Sequence, residues 1–192
     1  MMKNQPAHGA YATESADAAG SNLVEVWDLF VRIFHWLLVI TFATAWYTGG
    51  IWDKPHLTSG YFVLALILAR IVWGFVGSRY ALFSNFVYPP RTIFLYLRDM
   101  ARLRAPHYVG HNPAGGAMVI ALLTILLVLC ITGIMMTMDA FWGVRWVDNL
   151  HATASNIALV LIALHVGGVV FASIEHGENL VRSMITGLKR SS

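Results

Sequence analysis

Four histidines in the apolar part of this 192-residue chain are spaced so that they could bind metal in pairs: His35, His56, His151 and His165. His35 and His165 each lie about nine residues, or about 14 Å, from the same end of the bundle that their helices would form. His56 and His151 lie near the opposite end. His151 and His165 are 14 residues apart. This is close to four helical turns, so they share one helix face about 21 Å apart. The spacing therefore predicts two stacked sites with two imidazole ligands each.

Two imidazoles per site favour haem over a metal centre built by protein ligands alone. Zinc takes four ligands, or three and a water, usually with carboxylate or thiolate help, and only Asp53 and Asp148 lie near either level. Haem iron needs only one imidazole on each face, and helical bundles commonly hold such cofactors. The covalent attachment motif CxxCH is absent and Cys130 is the single cysteine, so two non-covalent haems b are expected.

Glycines and arginines near these histidines each have two interpretations. Gly60 and Gly167 lie within about one turn of a histidine and leave room for a flat macrocycle, although small residues also promote plain helix packing in membranes. Arg32 and Arg70 are candidate partners for haem propionates. Alternatively, the long side chain of Arg70 extends to the lipid head groups.

The composition indicates that a membrane surrounds the elements that position these residues. The chain is 57% hydrophobic and only 12% charged, about half the charged fraction of a soluble domain. The aromatic content excludes intrinsic disorder, and the small net positive charge does not indicate nucleic acid as a partner. Four continuous apolar runs, at about 26–48, 57–76, 114–138 and 150–174, approach the roughly 20 residues that a spanning helix needs. We therefore predict an all-α integral membrane four-helix bundle over residues 23–190, with two haems between the helices.

The distribution of basic residues predicts the orientation of the bundle. The first and third connections carry only Lys54 and Arg145, whereas five arginines lie in the second connection and three basic residues near the C-terminus. Both termini should therefore lie on the cytoplasmic side of a bacterial inner membrane. Residues 1–22 lack the apolar core of a signal peptide and are expected to form a disordered cytoplasmic tail.

Residues 91–103 of the second connection form an amphipathic pattern. Phe94 and Leu97 fall on one helical face, and Arg91 and Arg98 fall on another. Such a helix is expected to lie on the membrane surface against anionic lipid, with docking of a partner protein as the alternative. The aromatic residues of the outer connections suit an interfacial belt.

Paired axial imidazoles indicate electron transfer rather than oxygen chemistry. They fill both axial positions of haem iron, and electron exchange needs no open position. Two such sites, one near each membrane face, would conduct electrons across the bilayer.

The chain from Val26 to Lys189 resembles the bacterial cytochrome b561 family, which includes the cytochrome b subunits of nickel-iron hydrogenases. The matching segments are VWDLFVRIFHW at 26–36, HLTSGY at 56–61, ARIVWGFVGSRYALFSNF at 69–86, GHNPAGGAM at 110–118, LH at 150–151 and ALHVGGVVFASIEHGENLVRSMITGLKR at 163–190. The resemblance implies a four-helix di-haem protein whose ligands are His35, His56, His151 and His165.

The resemblance further implies electron exchange between membrane quinone and a redox partner, which would be a hydrogenase, another dehydrogenase or a c-type cytochrome. An alternative within the family is superoxide:ubiquinone oxidoreductase activity at the periplasmic face. The outer connections carry three aspartates against two basic residues, which is unfavourable for steering an anion. A third hypothesis is a non-redox small transporter with structural histidines. His111 and Asn112 are noted for proton exchange at a quinone site, although no spacing selects them.

Overall fold

The computed structural model describes residues 23–190, in which four long helices run antiparallel in chain order. The predicted tail of residues 1–22 lies outside the described residues. Each long helix is apolar enough to cross a membrane. The helices are α1 Leu29–Thr48, α2 Asp53–Val76, α3 Pro90–Met100, α4 Pro113–Met136, α5 Arg145–Glu175 and α6 Leu180–Thr186, of which α3 and α6 are short. Two 3₁₀ turns cover Phe83–Asn85 and Asp139–Phe141.

Side-chain caps determine where several of these helices begin. Asp28 precedes α1, and its Oδ1 accepts a hydrogen bond of 2.9 Å from the Val31 N–H. Asn112 precedes α4 and accepts one of 2.7 Å from the Gly115 N–H, while Pro113 occupies the first helical position. These contacts satisfy N–H groups that have no partner within the helix.

The helices begin and end a few residues away from the apolar runs. The helices α2 and α5 begin earlier than predicted, at Asp53 and Arg145, because first turns that contain charged residues continue each helix beyond the apolar run. His56 and His151 consequently lie inside helices rather than at their starts. The surface helix α3 ends at Met100 instead of residue 103, where Leu103 adopts a left-handed φ of 54°.

The long helices are packed unevenly, and this leaves a gap on one side of α5. The close packings join α1 to α2, α2 to α4 and α4 to α5. Within residues 23–190, α5 makes at most isolated close backbone approaches to α1 and α2. A core of six buried residues joins α1, α2 and α4: Phe34, Val63, Ile67, Leu123, Leu126 and Cys130. The gap therefore lies between α5 and the α1–α2 pair.

Two three-residue strands close one end of the bundle. Strand β1, Leu23–Glu25, pairs antiparallel with β2, Leu188–Arg190. The second carboxylate oxygen of Asp28 accepts hydrogen bonds from Ser78 and, at 3.1 Å, from Trp73 Nε1, which ties the start of α1 to the end of α2. We call this the inner end, because the basic residues predict that it faces the cytoplasm, and the opposite end the outer end.

Candidate functional site

The four predicted histidines face each other in pairs across the gap beside α5. At the inner level, the ring centroids of His35 on α1 and His165 on α5 are 6.5 Å apart, with the ring planes at 53°. At the outer level, the centroids of His56 on α2 and His151 on α5 are 6.2 Å apart, at 77°. Helix α5 thus contributes one imidazole to each pair.

The separation within each pair suits two imidazoles bound to one metal atom. Metal–nitrogen bonds of about 2.0 Å, with each ring centroid about 1.1 Å behind its nitrogen, place two such centroids about 6.2 Å apart. Both pairs lie within a few tenths of an ångström of this value. Across residues 23–190, no group of three or more His, Cys, Asp or Glu side chains converges to hold a metal ion. Each facing pair offers two imidazoles, which is a donor set that haem iron can use.

Hydrogen bonds orient both outer imidazoles so that Nε2 is free. His56 Nδ1 lies 2.8 Å from the Ala45 carbonyl oxygen, and because a carbonyl only accepts, Nδ1 carries the proton. His151 Nδ1 lies 2.9 Å from Thr132 Oγ1. The Thr132 hydroxyl donates to the Val128 carbonyl at 2.8 Å, so it accepts from His151. Metal-binding histidines usually have such an acceptor on their other nitrogen.

Two glycines that the sequence interpretation missed pack against the outer imidazoles. A Cβ on Gly49 would lie 3.4 Å from His56 Nδ1, and a Cβ on Gly133 would lie 3.3 Å from His151 Cε1. A Cβ at Gly133 would require the His151 imidazole to shift by a few tenths of an ångström, whereas a Cβ at Gly49 would only touch the His56 imidazole. The adjacent Thr132 and Gly133, a polar and a small residue inside a long apolar run, are the sequence signal for this contact.

The two predicted glycines border open space rather than packed side chains. Gly60 lines an apolar cavity that also borders His56, His151 and Cys130. Within residues 23–190, a Cβ on Gly60 or on Gly167 would meet no atom within 4 Å beyond its chain neighbours and the backbone of its own helix. Gly167 lies on an exposed part of α5, beyond the inner histidine. Gly60 therefore leaves free volume beside the outer histidines, whereas Gly167 is exposed on the surface of α5.

Each of the two predicted arginines donates a hydrogen bond to a backbone carbonyl, and each has one buried nitrogen without a hydrogen-bond partner among the described residues. Arg70 is only 3% exposed, and its Nη2 donates to the Ala81 carbonyl at 3.1 Å while the guanidinium lies near two phenylalanine rings. Its side chain therefore lies inside the protein. Arg32 donates to the Ile185 carbonyl. Among the described residues, Arg70 Nη1 and Arg32 Nε have no hydrogen-bond partner, and both could serve a carboxylate.

The four spanning helices and the stacked histidine pairs fit one class of protein, the helical membrane proteins that hold a metal cofactor between their helices. Residues 26–187 match the family described as prokaryotic cytochrome b561. The chain belongs to this family of b-type membrane cytochromes, whose function is electron transfer. Haem b is accordingly its cofactor, and the residues of each pair fit that group.

Curated relatives carry names that agree with this family. The chain is 23% identical to a probable Ni/Fe-hydrogenase B-type cytochrome subunit from Rhizobium leguminosarum bv. viciae, over 92% of this chain and 95% of that protein. It is 27% identical to the probable Ni/Fe-hydrogenase 1 B-type cytochrome subunit of Escherichia coli K12, over 56% of this chain and 57% of that protein. No solved structure matches the chain.

Proposed function

We propose that this chain conducts electrons across the inner membrane through two haems b, between a quinone and a redox partner in the membrane or periplasm. The proposal rests on the two facing imidazole pairs that are stacked along α5. The ring centroids are 6.5 Å apart in the inner pair and 6.2 Å apart in the outer pair. His35 and His165 would hold the inner haem, and His56 and His151 would hold the outer one. Haem iron supplies reversible one-electron chemistry.

The chain's own residues would orient the cofactors and exclude competing ligands. With haem bound, the two imidazoles at each site would both serve as iron ligands and would leave oxygen no place to bind. The buried, unpartnered nitrogens of Arg32 and Arg70 would pair with propionates of the inner haem. Gly60 and Gly167 would leave space for the macrocycle edges.

A cavity of about 260 Å³ at the inner end is our candidate for the quinone head group. Its wall includes Tyr80, Tyr108, Phe86 and His111. His111 is packed between aromatic rings, and among the described residues its buried Nδ1 has no partner. Burial lowers the pKa of His111 to about 3, and the charges of Arg70 and Lys189 act in the same direction. The imidazole is therefore neutral at physiological pH, and its free nitrogen can accept from a quinol hydroxyl.

The names of the relatives indicate which partner to test first. Those proteins are named as cytochrome subunits of nickel-iron hydrogenases. We therefore propose a hydrogenase, or another dehydrogenase, as the protein that exchanges electrons with this chain, and a c-type cytochrome as the alternative.

Haem content of histidine variants tests the proposal. The purified protein should contain two haems b, and its reduced spectrum should show the α band of low-spin haem. We expect His35→Ala and His165→Ala each to lose the same haem, and His56→Ala and His151→Ala each to lose the other, as measured by haem content and redox titration. His176→Ala, which changes a histidine outside both pairs, should retain both. Retention of both haems in all four variants would contradict the assignment of these histidines as haem ligands.

A further inference from the structure

A group of ionisable side chains lies beside the inner cavity. His107, from the segment before α4, has its Nε2 3.7 Å from Glu178 Oε2. Lys189, from β2, has its Nζ 3.5 Å from the same oxygen. The other Glu178 oxygen accepts a hydrogen bond of 2.8 Å from the Arg190 N–H. We call His107, Glu178 and Lys189 the inner polar group.

The inner polar group extends from solvent to the wall of the cavity. The His107 side chain is 31% exposed, whereas those of Glu178 and Lys189 are 9% and 6% exposed. The Lys189 ammonium also donates to the Tyr108 carbonyl at 3.1 Å, and Tyr108 lines the cavity that contains His111. One end of the group is therefore open to water, and the other end contacts a residue of the cavity wall.

Further titratable groups face this one from the neighbouring helices. The His107 ring lies 5.2 Å from that of His176, whose Nε2 is 3.9 Å from Glu175 Oε2. Both Glu175 oxygens are buried and make no hydrogen bond to any described residue. From α3, Tyr96 packs on Tyr108, and burial together with the charge of Glu175 raises the pKa of Tyr96 to about 12.

Stability alone is a poor reason for burying these charges. Removing an ion pair from water costs several kcal/mol per ion, and apolar side chains of similar volume often stabilise a protein as well or better. Clusters of perturbed, partly buried ionisable groups next to a cavity are typical of functional sites. Burial lowers the pKa of Lys189, against the opposing effect of Glu178, so its ammonium releases a proton more readily than that of a free lysine.

We infer that His107, Glu178 and Lys189 carry protons between the inner aqueous phase and the quinone cavity around His111. The inference rests on the proposed function. Reduction of a quinone takes two electrons, supplied by the redox partner, and two protons, which convert both carbonyls to hydroxyls; oxidation of the quinol releases the same numbers. For reduction, His107 passes a proton from water to the Glu178 carboxylate. Lys189 gives its proton to the cavity and is reprotonated by Glu178.

The decisive experiment compares two electron acceptors. Haem-loaded protein in nanodiscs is reduced and then mixed with a soluble ubiquinone analogue or with ferricyanide, which takes up no proton, and reoxidation is followed by stopped flow. In Glu178→Gln, the quinone-driven rate should fall about 100-fold, the lower range for loss of a positioned proton-transfer group. The ferricyanide-driven rate should not change. Glu178→Asp should retain most of the quinone rate.

The dependence on pH separates proton transfer from a structural defect. In Glu178→Gln, the quinone-driven rate should decrease as the pH rises, in proportion to the proton concentration. A small weak acid such as formate should restore this rate. Asp99 is an exposed carboxylate at the inner end of the bundle, and Asp99→Asn should behave as the unsubstituted protein. If Glu178→Gln loses haem, His107→Asn provides the same comparison.

Three results would contradict the inference. Unchanged quinone kinetics in both variants would show that protons take another route. An equal loss with quinone and ferricyanide would indicate damage to the haem sites. If quinone does not reoxidise the reduced haems of the unsubstituted protein, the quinone part of the proposed function is wrong, and the inference is wrong with it.

Discussion

The outer and inner histidine pairs differ in how their imidazoles are held. His56 and His151 each donate from Nδ1, to the Ala45 carbonyl and the Thr132 hydroxyl. His35 Nδ1, in contrast, is buried and has no acceptor among the described residues. An acceptor on the second ring nitrogen fixes the tautomer and makes the imidazole a stronger ligand. The outer site is therefore better organised by the protein than the inner site.

Replacing Thr132 by valine should weaken the outer haem site alone. The variant keeps the side-chain shape but removes the oxygen that accepts from His151. We expect affinity for the outer haem to fall about 10- to 100-fold. The midpoint potential of that haem should rise, because a less basic imidazole stabilises oxidised iron less. Haem retention on dilution and a redox titration measure both effects.

Thr124 provides the matched control for this prediction. It lies on the same helix, and its exposed hydroxyl donates only to the Ile120 carbonyl. Thr124→Val should leave both haems unchanged. A similar change in the two variants, or a shift of the inner haem in Thr132→Val, would contradict the assignment of Thr132 to the outer site.

At the scale of elements, one aspartate connects the start of α1 to the end of α2. Asp28 caps α1 through Val31 and accepts from Trp73 and Ser78. Burial alone would raise the pKa of Asp28, but these hydrogen bonds outweigh it and lower the pKa below the usual 3.8. A lowered pKa in the folded state means that the carboxylate stabilises the fold above pH 3.8 and that this stabilisation is lost as the pH falls further.

Asp28→Ala should therefore lower the free energy of unfolding by about 2 kcal/mol at neutral pH, through loss of a cap and of side-chain hydrogen bonds. Asp28→Asn should lose less, because an amide oxygen can still cap α1. Unfolding in detergent at neutral and acidic pH measures both variants, and their deficit should shrink at acidic pH. Asp53→Asn, in the exposed first turn of α2, should have little effect. A deficit that did not change with pH would contradict the role of the Asp28 charge.

The sequence predicted the four spanning helices and the histidines that meet, but not the contacts that hold those histidines. Long apolar runs are a strong signal, and residues four turns apart on α5 must share a face. The first turns of α2 and α5, from Asp53 and Arg145, were missed because charged residues in each interrupt the apolar pattern. Thr132 and Ala45 could not be assigned, since their roles depend on how neighbouring helices are rotated. The β1–β2 pair, three residues per strand, is too short for a sequence pattern.

At the scale of the whole molecule, the uneven packing of the bundle and its apolar exterior serve the same function. Because α5 packs closely on α4 but stands away from α1 and α2, a gap extends past both histidine pairs. The large apolar side chains exposed on the outside, among them Ile40, Trp46, Phe75 and Ile174, require lipid around them. On the proposed function, the bilayer would enclose a path for electrons whose two ends face different compartments.

Labelling of single cysteines should show which compartment each end faces. Cys130 is the only cysteine of the chain and is buried, so background labelling should be low. The basic residues of the second connection predict that α3 lies on the cytoplasmic side and the α4–α5 connection on the periplasmic side. A membrane-impermeant maleimide should therefore label Asp139→Cys in intact spheroplasts, and should label Arg98→Cys only after the membrane is permeabilised. The reverse pattern would place the inner polar group and its cavity in the periplasm, so that quinone chemistry there would exchange protons with the opposite compartment.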